Sequence, residues 1–193
     1  MPLKDSIQYI VMNWRTLKST YAFLCPWLKV RKDHVRLPSG LEMDDFYVVE
    51  ANDWVNVIAI TEDGKIIIEE QYRHGIQRVC FELPAGNVSE GETPLAAAKR
   101  ELLEETGYAG GKWSFFCSSV PNASGMNTVC HTFLAMDVKK TAEPKLEPSE
   151  DIRVHLLTKE EILQSLTTDS IIEGVMQAPL WRFITVNYGC KST

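Results

Sequence analysis

The pattern of apolar and polar residues predicts a separate N-terminal segment that ends near residue 50. Apolar residues recur at helical spacing from Ile7 to Leu17, which predicts an amphipathic helix within residues 1–24. Residues 27–37 alternate between apolar and polar and predict a strand, and after a Pro-Ser-Gly turn a second strand is expected to begin at Phe46. We therefore expect residues 1–50 to form a small β extension that precedes the main domain.

The rest of the chain, residues 51–193, has the pattern of one domain rich in strands. Strands are predicted over residues 55–60, 66–72, 79–83, 113–119, 129–138 and 152–157. Helices are predicted from residue 94 to a stop signal at 107, over 159–166 behind a Thr-x-x-Glu capping box, and from 169 or 170 to about 184. Because strands are interleaved with few helices and follow no regular βαβ repeat, the predicted fold class is α+β.

The first of these helices has clear signals at both ends. Thr93 is a suitable N-cap, Pro94 suits the first helical position, and Gly107 suits the end of the helix. The positions expected to face the core are Leu95, Ala98 and Leu102. Three acids, Glu101, Glu104 and Glu105, stand at i, i+3 and i+4, so their side chains are predicted to gather on one other patch.

This acidic patch has two interpretations. Neighbouring carboxylates repel each other, and the helix dipole disfavours negative charge at a C-terminal end. A divalent cation would turn both penalties into binding energy, because Mg²⁺ prefers carboxylate oxygens. A solvated acidic face is the alternative, and the spacing alone leaves both open.

Composition excludes several other classes of protein. The net charge of −6 argues against a general nucleic-acid binder, including an RNA-decapping enzyme, because such a protein needs a basic surface. Five cysteines without CxxC spacing favour a reducing compartment over a disulfide framework or a zinc site. No signal peptide is recognised, and no apolar run approaches the ~20 residues of a membrane span. We expect a cytoplasmic protein that binds no membrane and no nucleic acid.

Residues 86–108 as a whole resemble the Nudix box, a signature of glycine, glutamate, Arg-Glu, Glu-Glu and glycine at fixed gaps. Every charged and glycine position matches, and only Tyr108 stands where an aliphatic residue is commoner. The resemblance implies a mixed sheet held between helices. It also implies metal-dependent hydrolysis of a nucleoside diphosphate linked to another group.

Further segments resemble the ADP-ribose pyrophosphatase branch of the Nudix family. They are QYR at 71–73, ELPAG at 82–86, WLKV at 27–30 and EDIRV at 150–154. The branch implies a homodimer whose N-terminal strands reach the partner, and hydrolysis of ADP-ribose to AMP and ribose 5-phosphate. The loop after Pro121 lacks the proline-glycine sequence that is usual in the branch. The resemblance therefore does not determine which group of the substrate lies distal to the nucleoside diphosphate. Another nucleoside diphosphate sugar such as GDP-mannose, or a non-catalytic nucleotide sensor, is the alternative.

The resemblance also implies a metal site. Mg²⁺, for which Mn²⁺ may substitute, would be held by Glu101, Glu104 and Glu105, with the Ala85 carbonyl as a further ligand. Arg100 would orient the glutamates by bidentate pairing, with Glu92 in support. Glu105 is thus assigned both to the metal and to catalysis.

The general base in this branch comes from a late acidic loop, here predicted as a mobile segment over residues 141–151. Glu150 is the first choice and Glu147 the second, against the alternative of a merely solvated loop. Four side chains are candidates for binding substrate: Trp27, Phe46, Arg73 and Arg78. Trp27 and Phe46 of the other subunit would stack on the base, with use in the core as the alternative. Arg73, and less strongly Arg78, would bind a phosphate or the terminal ribose, with a sheet-edge salt bridge as the alternative.

Overall fold

The computed structural model describes residues 13–26 and 28–188. The described residues up to 51, together with residues 122–127, form one compact unit. It contains three antiparallel strands in the order of the chain: β1 (Arg15–Cys25), β2 (Leu28–Arg36) and β3 (Glu42–Glu50). Residues 122–127 join this unit through the Gly125 carbonyl, which accepts a hydrogen bond from the Val49 amide at 2.8 Å.

The helix predicted within residues 1–24 is wrong from Arg15 onward, and residues 1–12 lie outside the described part of the chain. Thr16, Thr20, Tyr21 and Phe23 are β-branched or aromatic and suit a strand. The backbone of β2 offers them a ladder of hydrogen bonds that a local apolar pattern does not reveal. Tertiary pairing therefore overrides the helical spacing.

The second unit, residues 52–121 with the described residues from 128 to 188, is built on one mixed sheet of eight strands. The strands are β4 (Trp54–Thr61), β5 (Ile66–Arg73), β6 (Arg78–Glu82), β7 (Ala85–Asn87), β8 (Tyr108–Ala109), β9 (Lys112–Ser119), β10 (Cys130–Lys140) and β11 (Arg153–Leu157). The main path of the sheet runs β11-β5-β4-β10-β8, while β6, β7 and β9 pair with β5, β4 and β10 respectively. Only the β4–β10 pair is parallel among the paired strands that the structure describes.

Helices cover both faces of this sheet. One face packs against α1 (Pro94–Thr106), and the other packs against α2 (Lys159–Thr167) and α3 (Gly174–Tyr188). Side chains of consecutive β4 residues alternate between the two faces of the sheet. Val57 packs on the α1 side and Ile58 on the α2–α3 side, and both are fully buried. The predicted α+β class is confirmed.

The signals at both ends of α1 act as predicted. The Thr93 hydroxyl accepts a hydrogen bond from the Ala96 amide at 3.3 Å, and Gly107 ends the helix with a φ of 74°. Gly107 then donates its N–H to the Leu103 carbonyl.

The predicted face of α1 needs two corrections. Leu95 is 37% exposed, and Ala97 takes a core position beside Ala98 and Leu102. The three acids do gather, since all of them line one cavity, but their patch is not separate from the buried face of the helix. Glu101 and Glu105 follow Ala98 at i+3 and i+7, so they continue the buried face toward the end of the helix.

The last helix also begins later than predicted. Asp169 has a φ of 56°, which is outside the helical region, and the Ser170 carbonyl accepts a hydrogen bond from the Phe81 amide of β6. These residues therefore form a connection, and α3 starts at Gly174. Within the described residues, no helix is both long and apolar enough to cross a membrane.

Candidate active site

Strand β5 leads from the core into a polar cavity. Ile67, on the α1 side of the strand, belongs to the apolar core, and the same face continues through Glu69 and Gln71 to Arg73. Gln71 and Arg73 line a cavity of about 480 Å³, whose other walls come from α1, β7 and residues 145–150. Eight of the residues predicted for the site line it: Arg73, Ala85, Arg100, Glu101, Glu104, Glu105, Glu147 and Glu150.

Arg100 binds several acidic side chains beside the cavity. Its Nε and Nη2 bind both carboxylate oxygens of Glu92 at 3.0 and 2.9 Å, which is the bidentate geometry that holds a guanidinium in one orientation. Its Nη1 donates to Glu101 at 2.8 Å and to Glu104 at 3.2 Å. The hydrogen bonds that Arg100 donates to these acids raise its pKa, and the bond to Glu92 has the largest effect. Arg100 therefore orders three carboxylates at once.

Backbone from β7 positions two acidic side chains of α1, Glu105 and Glu101. The Ala85 amide donates to Glu105 Oε2 at 3.0 Å. At Gly86, a methyl group in place of the α-hydrogen would lie only 2.0 Å from Glu101 Oε1, so any larger residue would push that carboxylate away. The glycine of the motif thus leaves room for Glu101.

A fourth carboxylate, Glu69, lies behind Glu105. Glu69 is 1% exposed and lies within hydrogen-bonding reach of Glu105. Burial raises the pKa of both carboxyls above the ordinary glutamate range, and the charge of Glu69 raises that of Glu105 further. Burial also raises the pKa of Glu101, and the charges of Glu104 and Glu150 add to this effect.

Arg73 enters the cavity from the end of β5 and is held by Glu82. Its Nε lies 2.8 and 3.0 Å from the two Glu82 oxygens, and its Nη2 also contacts Glu82 Oε2. Glu82 is 2% exposed, so the pair anchors the guanidinium while half of the Arg73 side chain stays accessible. The salt bridge considered from the sequence is present, and Arg73 also faces the cavity.

The acidic loop is tied to the C-terminal end of α1. The Thr141 and Ala142 amides donate to the Gly107 carbonyl, and the Lys145 amide donates to the Glu104 carbonyl at 2.7 Å. These bonds satisfy carbonyls that the end of a helix leaves free, and they direct the loop toward the cavity. Beyond them Glu150 accepts a hydrogen bond from the Glu147 amide at 2.8 Å. Glu150 lies near enough to raise the pKa of Glu101, Glu105 and Glu69 by its charge.

The donor set fits a hard divalent cation. Among the described residues, Glu69 and Glu105 are buried carboxylates that form no salt bridge, and Glu69 Oε1 is fully buried without a hydrogen-bond partner. Within the described residues, no three His, Cys, Asp or Glu side chains are grouped so that they could hold a metal as they stand. Arg100 donates hydrogen bonds to oxygens of both Glu101 and Glu104. A cation held by these two carboxylates would therefore compete with Arg100 for their oxygens.

Comparison with protein-family models decides the identity of the domain. The model of the NUDIX domain matches residues 52–177, which are more than half of the chain. The model of the nucleoside diphosphate sugar hydrolase N-terminal domain matches residues 14–49. The chain belongs to the Nudix family. The prediction made from residues 86–108 is thereby confirmed.

Proteins similar to this Nudix protein carry different functional names. A Bacillus methanolicus protein named methanol dehydrogenase activator is 32% identical over 161 residues, which are 83% of this chain and 86% of that protein. The ADP-ribose pyrophosphatase of Bacillus subtilis (strain 168) is 31% identical over 143 residues, with 74% and 77% covered. The ADP-sugar pyrophosphatase of Mus musculus is 51% identical over 103 residues, with 44% and 43% covered. A crystal structure of an ADP compounds hydrolase, 17% identical, shares the fold with a TM-score of 0.79 over 91% of this chain and 96% of that chain.

Of the three other residues predicted for the Nudix site, Arg78 is not among those that line the cavity. Trp27 lies outside the described residues. Phe46 belongs to the N-terminal unit, where its ring meets that of Trp14 edge-on at 5.5 Å. Arg78 donates to the Asp169 carbonyl at 3.0 Å.

Sequence reasoning missed two features of the site. Glu69 carries no motif signal, although a glutamate directly after three isoleucines in a buried strand is itself unusual. Trp54 lines both the first cavity and a neighbouring one of about 440 Å³, which Arg73 also lines. The second cavity has apolar walls from Ile76 and Ile172.

Proposed function

We propose that this Nudix enzyme hydrolyses the diphosphate bond of ADP-ribose, releasing AMP and ribose 5-phosphate. The observation that carries the proposal is the meeting of the α1 glutamates, the loop glutamates and Arg73 in one cavity. The names of the Bacillus subtilis and mouse relatives support a substrate in which ADP is joined to a sugar.

The proposed metal ligands are Glu101, Glu104 and Glu105, with the Ala85 carbonyl, and the proposed ion is Mg²⁺ with Mn²⁺ as a substitute. Enzymes of the Nudix family generally need a divalent metal ion. When bound, the ion supplies a Lewis acid that neutralises diphosphate charge and activates water. Arg100 holds the glutamates in position, and the Ala85 amide holds Glu105.

The remaining roles belong to residues at the edges of the cavity. Glu150 is the proposed general base that takes a proton from the attacking water, with Glu147 as the second choice. Arg73 is proposed to contact a phosphate, because Glu82 anchors it while leaving it accessible. Trp27, and Phe46 of the partner subunit, are proposed to stack on the base.

The stacking roles rest on a proposed homodimer. Large apolar side chains are exposed on the N-terminal strands: Tyr21, Phe23, Leu24 and Tyr47. Exposed apolar patches commonly mark protein interfaces. Sedimentation at micromolar concentration should therefore give a dimer, and a monomer with full activity would contradict the shared site.

A panel of substrates tests the proposed reaction. With Mg²⁺ present, released nucleoside monophosphate is measured for ADP-ribose, other ADP-sugars and GDP-mannose. We expect the highest kcat/KM for ADP-ribose and loss of turnover with chelator. A higher kcat/KM for another sugar nucleotide would favour the second candidate, a pyrophosphatase for that sugar. If no substrate is hydrolysed, the enzymatic proposal fails.

A further inference from the structure

Glu69 is a buried acid in the middle of a sheet. It follows Ile66, Ile67 and Ile68, each no more than 1% exposed, and is itself 1% exposed. Its partners across the ladder are Val154 of β11 and Glu82 of β6. An ionised carboxylate at such a position is strongly disfavoured unless a cation compensates it.

The neighbouring acids have partners of their own. Glu82 is held by Arg73, and Glu70, whose side chain points to the opposite face of β5, binds His155 at 2.9 Å. Glu69 Oε1 has no hydrogen-bond partner although it is fully buried. The group within hydrogen-bonding reach of Glu69 is another acid, Glu105. The protein groups described around Glu69 therefore leave it without a cation of its own.

We propose that Glu69 is a further acidic residue of the metal site, acting from behind Glu105. Its charge strengthens the binding of a divalent cation by Glu105, and the cation in turn compensates the buried carboxylate. Glu69 acts through Glu105 and does not itself touch the ion, so it is a supporting residue and not a ligand. This inference rests on the proposed metal site, but not on the identity of the substrate.

The test measures Mn²⁺ affinity without substrate, from the electron paramagnetic resonance signal of free Mn²⁺. Glu69→Gln keeps the shape of the side chain and removes its charge. Loss of a group that supports a metal ligand typically weakens metal binding 10–100-fold, and we expect a loss in about that range. Glu70→Gln is the matched control, because it removes a charge one residue away on the other face, and its Mn²⁺ affinity should equal that of the parent.

Two further results separate charge from structure. Glu69→Asp keeps the charge and alters the shape, so it should bind Mn²⁺ more tightly than Glu69→Gln. Added Mn²⁺ should raise the Tm of Glu69→Gln less than that of the parent, because stabilisation by a ligand follows its affinity. Unchanged Mn²⁺ affinity in Glu69→Gln, with or without a lower Tm, would assign Glu69 a structural role and overturn the inference. A parent protein that binds no Mn²⁺ would overturn both the inference and the metal site, whatever the substrate panel shows.

Discussion

Two groups of glutamates face the same cavity, and they are held in different ways. The α1 group, Glu101, Glu104 and Glu105, is fixed by side-chain and backbone donors from outside the group, namely Arg100 and the Ala85 amide. The loop group, Glu147 and Glu150, is held mainly by its own turn. This difference fits the proposed division of roles, in which the α1 group binds the metal ion and the loop group supplies the base.

The difference extends to burial. Glu105 is 5% exposed and takes a position that an apolar residue would occupy in an ordinary amphipathic helix. Glu147 is exposed and Glu150 is partly so, in a segment with few apolar anchors. Ionised Glu105 therefore lowers the free energy of unfolding, a cost that a bound cation would offset, whereas the loop carboxylates keep contact with solvent.

The largest effect is expected at Glu105. Glu105→Gln keeps the side-chain shape but removes a charged ligand, so kcat should fall by orders of magnitude while the circular dichroism spectrum stays unchanged. Steady-state hydrolysis of ADP-ribose with Mg²⁺ measures this loss. Glu160→Gln, at an exposed glutamate in the first turn of α2, is the control and should be fully active. Near-normal turnover by Glu105→Gln would remove the α1 group from catalysis.

A smaller effect is expected from the loop group. Glu150→Gln should lower kcat by roughly 10²–10⁴-fold, the usual contribution of a general base, and leave KM similar. Glu147→Gln serves as its matched partner, because both residues line the cavity from one turn. A large loss in Glu147→Gln alone would exchange the two roles. Full activity in both variants would show that the loop does not supply the base.

The two groups also differ in how far sequence predicts them. The α1 group is part of a fixed spacing, and Thr93 and Gly107 mark the ends of its helix without reference to the rest of the chain. Most strands of the main sheet are predicted in the same way, since runs such as residues 66–68 have strong local signals. Local patterns therefore predict the motif in residues 86–108, most strands of the main sheet and the capping box of α2.

What the sequence does not predict depends on contacts between distant residues. Strand β1 depends on pairing with β2, and Arg15–Cys25 consequently has no clear local signal of its own. Glu69 comes close to Glu105 only in the folded chain, because β5 and α1 pack into one apolar core. The late start of α3 depends on the bond between Ser170 and Phe81 of β6. Such features require the folded structure.

The smallest effect on turnover is expected for Arg100→Lys, which keeps the positive charge beside the α1 group and changes the shape of the side chain. Arg100→Lys loses the bidentate bond to Glu92, and one ammonium cannot span Glu92, Glu101 and Glu104 as the guanidinium does. We expect the Mg²⁺ concentration for half-maximal activity to rise and kcat to fall, each by about 10-fold, the lower end of the range for groups that orient metal ligands. The reverse exchange, Lys99→Arg, alters an exposed residue on the same turn and should leave both values unchanged. If Arg100→Lys behaves like Lys99→Arg, the α1 glutamates do not need an external donor. The contrast between the two groups of glutamates would then rest on burial alone.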